Sequence, residues 1–242
     1  MPAYRQELVR SHNNLGNLLQ HLGKKVEAES EISKAVAIQE KLAAAYPTVP
    51  AYRQELARSY HNLGNLLTVL GKQAEAGIEF RKALAIQEKL ASDFPAVAAY
   101  RHALGLSHNS VGNLHTWLGK RAEAEEQYRQ ALVIQEKLAA DFPTVPRYRV
   151  EIGISYYNYT CLYAFMARRE PDKKGEYADR AMELLNKTVK VGYTNATGMA
   201  NDPNLDPLRD RADFKKLLES LQPKAKGNAP PREPAPPPRE KK

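Results

Sequence analysis

Cysteine is nearly absent from these 242 residues: Cys161 stands alone, so no intrachain disulfide can form, which fits a reducing compartment. It lies in YNYTCLYAF among apolar residues, with no histidine, lysine or helix start nearby to lower its pKa, and reads as a small core residue. No apolar run approaches the roughly 20 residues that a membrane helix requires. The first residues lack the basic start and apolar stretch of a secretory signal. The reading is therefore a cytoplasmic chain with no membrane contact. Alternating apolar and polar stretches between turn residues are also missing, which excludes a sheet. The six histidines offer no clustered metal ligands, and no cofactor or metal is expected. A Gly-rich phosphate loop, an HRD-type catalytic loop and a DFG triplet are absent too, and no enzyme is read here.

Charge of one sign is in excess, but not in one place. Of the formal net +8, half sits in the last 20 residues, which hold six Lys or Arg against two Glu. Elsewhere acids and bases interleave, as in EAEEQYRQ, so a solvated helical surface is expected and no nucleic acid as partner.

What the sequence has in abundance is itself. Residues 1–19, MPAYRQELVRSHNNLGNLL, return at 49–67 as VPAYRQELARSYHNLGNLL. Tyr4, Tyr52, Tyr100 and Tyr148 are spaced by 48 residues, and the same register carries Gly16/Gly64/Gly112, Gly23/Gly71/Gly119, Ala28/Ala76/Ala124 and IQEKLA at 38, 86 and 134. Inside one copy, Leu56, Tyr60, Leu63, Leu67 and Leu70 follow helical spacing, and Gly71 supplies a left-handed stop. Ala76, Phe80, Ala83, Leu84, Gln87 and Leu90 mark a second apolar stripe, which Pro95 ends. Each copy is thus a helical hairpin that cannot bury its apolar face alone, so the copies must stack into a solenoid.

Tyr60, Leu63, Gly64, Leu67, Gly71, Ala76, Phe80 and Ala83 resemble the tetratricopeptide repeat pattern, and the match recurs in all three copies. The resemblance implies an all-α fold, a right-handed α-solenoid of antiparallel helical hairpins, here with a 48-residue period where 34 is usual. Gly64 and Ala76 would let paired helices approach closely, with Phe80 and Leu67 filling the space beside them. The long form, NNLGNLL…LGK…EAE…KAVAIQEKL, looks most like the repeats of kinesin light chains and of bacterial regulatory proteins. It covers residues 3 to about 190. The expected division is four hairpins in residues 1–191, at 3–50, 51–98, 99–146 and 147–191. The fourth is a variant in which Thr160 and Ala167 replace the glycines. A capping loop and helix at 192–221 follows, with Phe214, Leu217, Leu218 and Leu221 as its apolar residues. A disordered, Pro-, Lys- and Arg-rich tail at 222–242 contains seven of the sixteen prolines and is expected to be partly polyproline II. Its PAPPPR fits a PxxPxR pattern for aromatic-groove domains.

YADRAMELLNKTVKVGY followed by DPNLDPLRDRADFKKLL is similar to the ending of tetratricopeptide regions downstream of bacterial Ser/Thr protein kinase domains. That resemblance rests on Asp206, Pro207, Leu208, Arg209, Phe214 and Leu217, and implies a non-catalytic region appended to a kinase. At the other end no cap precedes the first hairpin. Two readings are open: the chain is the carboxyl part of a longer protein, or its first face pairs with another copy as a homo-oligomer.

The resemblance also implies that the first helix of each hairpin lines a concave groove for a protein or peptide partner. The matching residues are Arg10, Asn13, Asn17 and Gln20, then Arg58, His61, Asn65 and Thr68, then Asn109, Asn113, Thr116 and Trp117, with Tyr157 beyond. An asparagine amide both donates and accepts, so a ladder of Asn17, Asn65 and Asn113 suits an extended peptide backbone. Trp117 and Tyr157 offer apolar anchors. The same amides could instead bond between neighbouring helices. Chaperone-tail grooves of the family place Lys where Asn13 and His61 stand, so an acidic carboxyl-terminal peptide is not expected.

Overall fold

The computed structural model describes residues 2–221, with no strand among them, and the tail expected at 222–242 lies outside the described residues. Eight long helices come first: α1 (Pro2–His21), α2 (Lys25–Ala45), α3 (Pro50–Val69), α4 (Gln73–Asp93), α5 (Ala98–Trp117), α6 (Arg121–Asp141), α7 (Pro146–Arg169) and α8 (Lys174–Lys190). Each packs against the helix before and after it, so four hairpins stack in chain order as an α-solenoid. The odd-numbered helices also touch one another, α3 with α5 and α5 with α7, and form one layer of the stack.

The turn inside each hairpin follows from its glycine. Gly23, Gly71 and Gly119 have φ of +76°, +76° and +70°, a conformation that costs other residues about 1–2 kcal/mol. At Gly71 the backbone N–H bonds to Thr68 O at 3.0 Å while Lys72 N–H reaches Leu67 O at 2.9 Å, which closes the helix end by a Schellman motif. The same pair of bonds recurs at Gly23 and Gly119.

The turn between hairpins is built from aromatic residues and a proline. Tyr46 packs on Tyr52, Phe94 on Tyr100 and Phe142 on Tyr148, with ring centroids 5.5, 5.7 and 6.0 Å apart. Pro50 and Pro146 then open α3 and α7, where a missing N–H costs no helical bond.

Small residues set the distance between the two helices of a hairpin. Ala28, Ala76 and Ala124 are fully buried. A Cβ added to Gly16, Gly64 or Gly112 would meet Ile32, Phe80 or Tyr128 at 2.6, 2.7 or 2.8 Å, closer than carbon atoms pack. Gln39, Gln87 and Gln135 are also buried at the repeat spacing, and Ser59, Ser107 and Ser155 likewise. They form a polar seam through the stack.

Where the glycine is lost, the geometry changes. Ala167 is 1% exposed inside α7, which therefore runs 24 residues where α3 and α5 run 20. A 3-10 turn at Pro171–Lys173 replaces the glycine turn. Beyond α8 come α9 (Ala196–Asn201), a 3-10 helix at Pro203–Leu208 and α10 (Ala212–Leu221). The 3-10 helix packs along α7, and α10 rests on α8 and α9. Leu205, Leu208 and Phe214 are buried in the core of the fourth hairpin, and Leu217, Leu218 and Leu221 pack against it. Arg209 holds this segment together by bonding to the carboxylate of Asp206 and to the carbonyls of Ala200 and Asp202.

Candidate functional site

The layer of odd-numbered helices bounds a hollow of about 570 Å³ between α3, α5, α7 and the segment after α8. Its polar lining includes Asn65, Thr68, Ser110, Asn113, Thr116, Asn158 and Asn204. Its apolar wall carries Val69, Trp117 and Phe165, which follow one another at the repeat spacing of 48 residues. Trp117 is 68% exposed and Val69 51% exposed, a large share for residues that could be covered.

The expected groove residues separate into three groups. Asn65, Asn113, Thr116, Trp117 and Tyr157 are brought together in the hollow. His61 sits at its margin, hydrogen-bonded to Ser110 Oγ at 2.8 Å across α3 and α5, with Asn65 Nδ2 at 3.3 Å from its other ring nitrogen. Burial holds the His61 pKa below the ordinary histidine value. The rest stand elsewhere. Arg10 and Arg58 are exposed and paired within their own helices to Glu7 and Glu55. Asn13 is half-buried in α1 and Asn17 is exposed on it, both outside the hollow. Asn109 requires a correction: it is 6% exposed and donates to Ser155 Oγ at 2.6 Å, so its amide bonds between helices instead of facing a partner. Its side chain is drawn inward because Ser155 and Gln135 form a buried polar cluster beside it.

Four of the groove's own amides and hydroxyls are held in fixed orientations. Tyr128 Oη donates to Asn113 Oδ1 at 2.7 Å, which turns the Asn113 NH2 group outward. Thr68 and Thr116 hydroxyls bond back to Gly64 O and Gly112 O. Tyr157 Oη donates to Asp202 Oδ2, and Asn204 N–H reaches Asp202 Oδ1 at 2.8 Å. Burial beside that carboxylate raises the Tyr157 pKa. Cys161 lines the hollow as well, half-buried, with its thiol pushed up to about 12 by burial, so it is no nucleophile near neutral pH.

Several lining residues were not named from the sequence. Val69 and Phe165 carried a signal, the 48-residue spacing from Trp117, whereas Asp202 and Asn204 lie beyond the repeats and carried none. Arg168 exists as a groove residue because α7 runs past the usual glycine stop, and its guanidinium lies 5.7 Å from the Phe165 ring centre.

Family models described as tetratricopeptide repeat match residues 9–42, 56–110 and 107–143. Among solved structures, the chain is similar to BtubC (BKLC) from P. vanneervenii at 17% identity, with 100% of this chain and 97% of that one covered and a TM-score of 0.51. It is also similar to a putative kinesin light chain from Podosopora anserina with nearly identical TPR-like repeats, at 23% identity, 91% and 94% coverage and a TM-score of 0.51. These likenesses concern the fold. No curated protein matches the chain.

Proposed function

The chain belongs to the tetratricopeptide-repeat proteins, and on that premise we propose that it is a non-catalytic scaffold that docks an extended segment of a partner protein in the hollow between α3, α5 and α7. The observation that carries this reading is the stripe of exposed Val69 and Trp117 and half-buried Phe165 beside the outward amide of Asn113. Trp117 would anchor an apolar side chain, while Asn65, Asn113 and Thr116 hold the backbone around it and Tyr157 closes one wall. Peptides selected on the full chain from a random library should bind Trp117→Ala about 30-fold more weakly, the loss expected of a central anchor worth about 2 kcal/mol. Val133→Ala, on an exposed position of α6, should leave binding unchanged. Equal affinity for wild type and Trp117→Ala sinks the proposal.

The finer reading is a regulatory or partner-recruiting region of a bacterial signalling protein. It is supported by the likeness of the segment around Asp206, Pro207, Leu208 and Arg209 to the ends of kinase-appended repeat regions. A second reading, self-assembly, is favoured by one specific observation. Leu15 and Leu18 are 44% and 55% exposed on α1, whereas Leu63 and Leu66, their equivalents one repeat on, are 8% and 1% exposed.

A further inference from the structure

We propose that α1 pairs with α1 of a second copy, antiparallel across a two-fold axis, in a closed dimer; this rests on the self-assembly reading above and specifies its geometry. Tyr4, Leu8, Ser11, Leu15, Leu18 and Leu22 follow one another at alternating spacings of four and three residues, the heptad seam of a paired helix. Ser11 alone among them is polar, and its hydroxyl bonds to Glu7 O at 3.0 Å inside its own helix, so covering it strands no polar group. Tyr4, Leu15 and Leu18 are exposed, as is Leu22 just past the helix end. No other described helix leaves three large apolar side chains exposed.

One repeat on, the same face is in use. Leu56, Ser59, Leu63 and Leu66 are at most 8% exposed, and the three leucines share a core with Ile32 and Val36 of α2. α3 packs on α2 as well as on α4, whereas α1 packs chiefly on α2. Only residues 46–49 separate α2 from α3, so the two run antiparallel, and the face that α1 leaves open is one that takes an antiparallel helix. Among the described helices of a second copy, α1 is the one with a free seam to offer.

The residues flanking the seam select the orientation. Laid antiparallel, Tyr4 meets the second copy's Leu22, Leu8 its Leu18 and Ser11 its Leu15. Glu7 then stands beside the second copy's exposed His21, a carboxylate facing an imidazole, and the two exposed Asn14 amides face each other, each able to donate and to accept. Laid parallel, Glu7 would stand beside the second copy's His12, whose ring is already taken by Glu31 at 2.7 Å, and carboxylate would approach carboxylate. Two 20-residue helices, each about 30 Å long and about 10 Å across, bury roughly 1,000 Å² between them, which reaches the size of a specific interface. The pairing uses the same face on both copies, so association closes at two. No seam residue lines the hollow, so the dimer carries two open grooves and holds a partner with two docking segments more tightly than one groove does.

Two full-chain variants, Tyr4→Cys and Leu22→Cys, test the pairing, with wild type and its half-buried Cys161 as the control. Both substituted positions are exposed, so neither variant loses core packing. They lie about 27 Å apart along the chain's helix, too far for one to stand in for the other. Under mild oxidation the mixture of the two variants should give a disulfide-linked dimer at about ten times the yield of either variant alone, because only residues brought within bonding reach can be bridged. Efficient linking of each variant with itself shows parallel helices and overturns the inference. A wild-type chain that sediments as a dimer while no combination links also overturns it, and both results leave self-assembly standing by another geometry. A wild-type chain that sediments as a monomer overturns the inference and the self-assembly reading together, and gives the face to a helix of another protein.

Discussion

At Gly112 a Cβ would stand 2.8 Å from Tyr128 Cε1, whereas at Gly105, seven residues earlier on the same helix, the nearest side-chain atom would be 3.4 Å away. The two glycines therefore do opposite things. Gly112→Ala should destabilise the chain by about 1–3 kcal/mol because the aromatic ring must move within a packed hairpin. Gly105→Ala should stabilise it by about 0.5–1 kcal/mol, since the helix loses a flexible residue and gains the methyl that Ala57 places in the preceding repeat. Denaturant titration of both variants measures the difference. Shifts of the same sign would show that close approach to Tyr128 is not what Gly112 provides. The glycine-to-aromatic contact was legible in advance, because residue size and repeat position together require it.

The seam between hairpins is decided at the level of elements. Ser155 Oγ receives Asn109 Nδ2 and lies against Gln135 Oε1, joining α5, α6 and α7 at a point of no solvent exposure. Ser107 fills the equivalent slot one repeat earlier, and its hydroxyl has no partner among the described residues. Ser155→Ala should then cost about 1–3 kcal/mol by stranding two buried amides, whereas Ser107→Ala should be close to neutral. Thermal unfolding of the two variants decides it, and equal losses would mean that the seam carries no specific bond at Ser155. The sequence displays the serines and glutamines at the right spacing, but that Asn109, which stands where the preceding repeat has His61, bonds to Ser155 and does not line the hollow is set by how α5 packs on α7.

Over the whole molecule, the two ends of the stack differ. The last hairpin is covered by Leu205, Leu208 and Phe214, all nearly inaccessible. The first presents Leu15, Leu18 and Leu22 at 44%, 55% and 64% exposure, and α1 buries only Val9 and Gly16. If a second copy covers that face, sedimentation of the full chain should show a dimer that Leu18→Glu converts to a monomer. The substitution removes little packing from an isolated chain, because Leu18 is half in solvent already. A wild-type chain that sediments as a monomer over the same concentrations removes the self-assembly reading.

The sequence alone determined the helical hairpin, its turn glycines and the stacking of the copies. Each of these is a local choice repeated at one spacing, and a repeat that cannot bury its own face leaves no other architecture. Only the tertiary structure decided which polar side chains line the hollow. Asn65, Asn113 and Asn109 are all asparagines on the first helix of a hairpin, yet the first two line the hollow while the third is drawn into a buried cluster. The difference arises because a side chain's surroundings come from neighbouring helices and, at Asp202 and Asn204, from a segment outside the repeat. Arg168 reached the groove for a related reason: without glycine at position 167 the helix has no left-handed stop, and it continues for another turn.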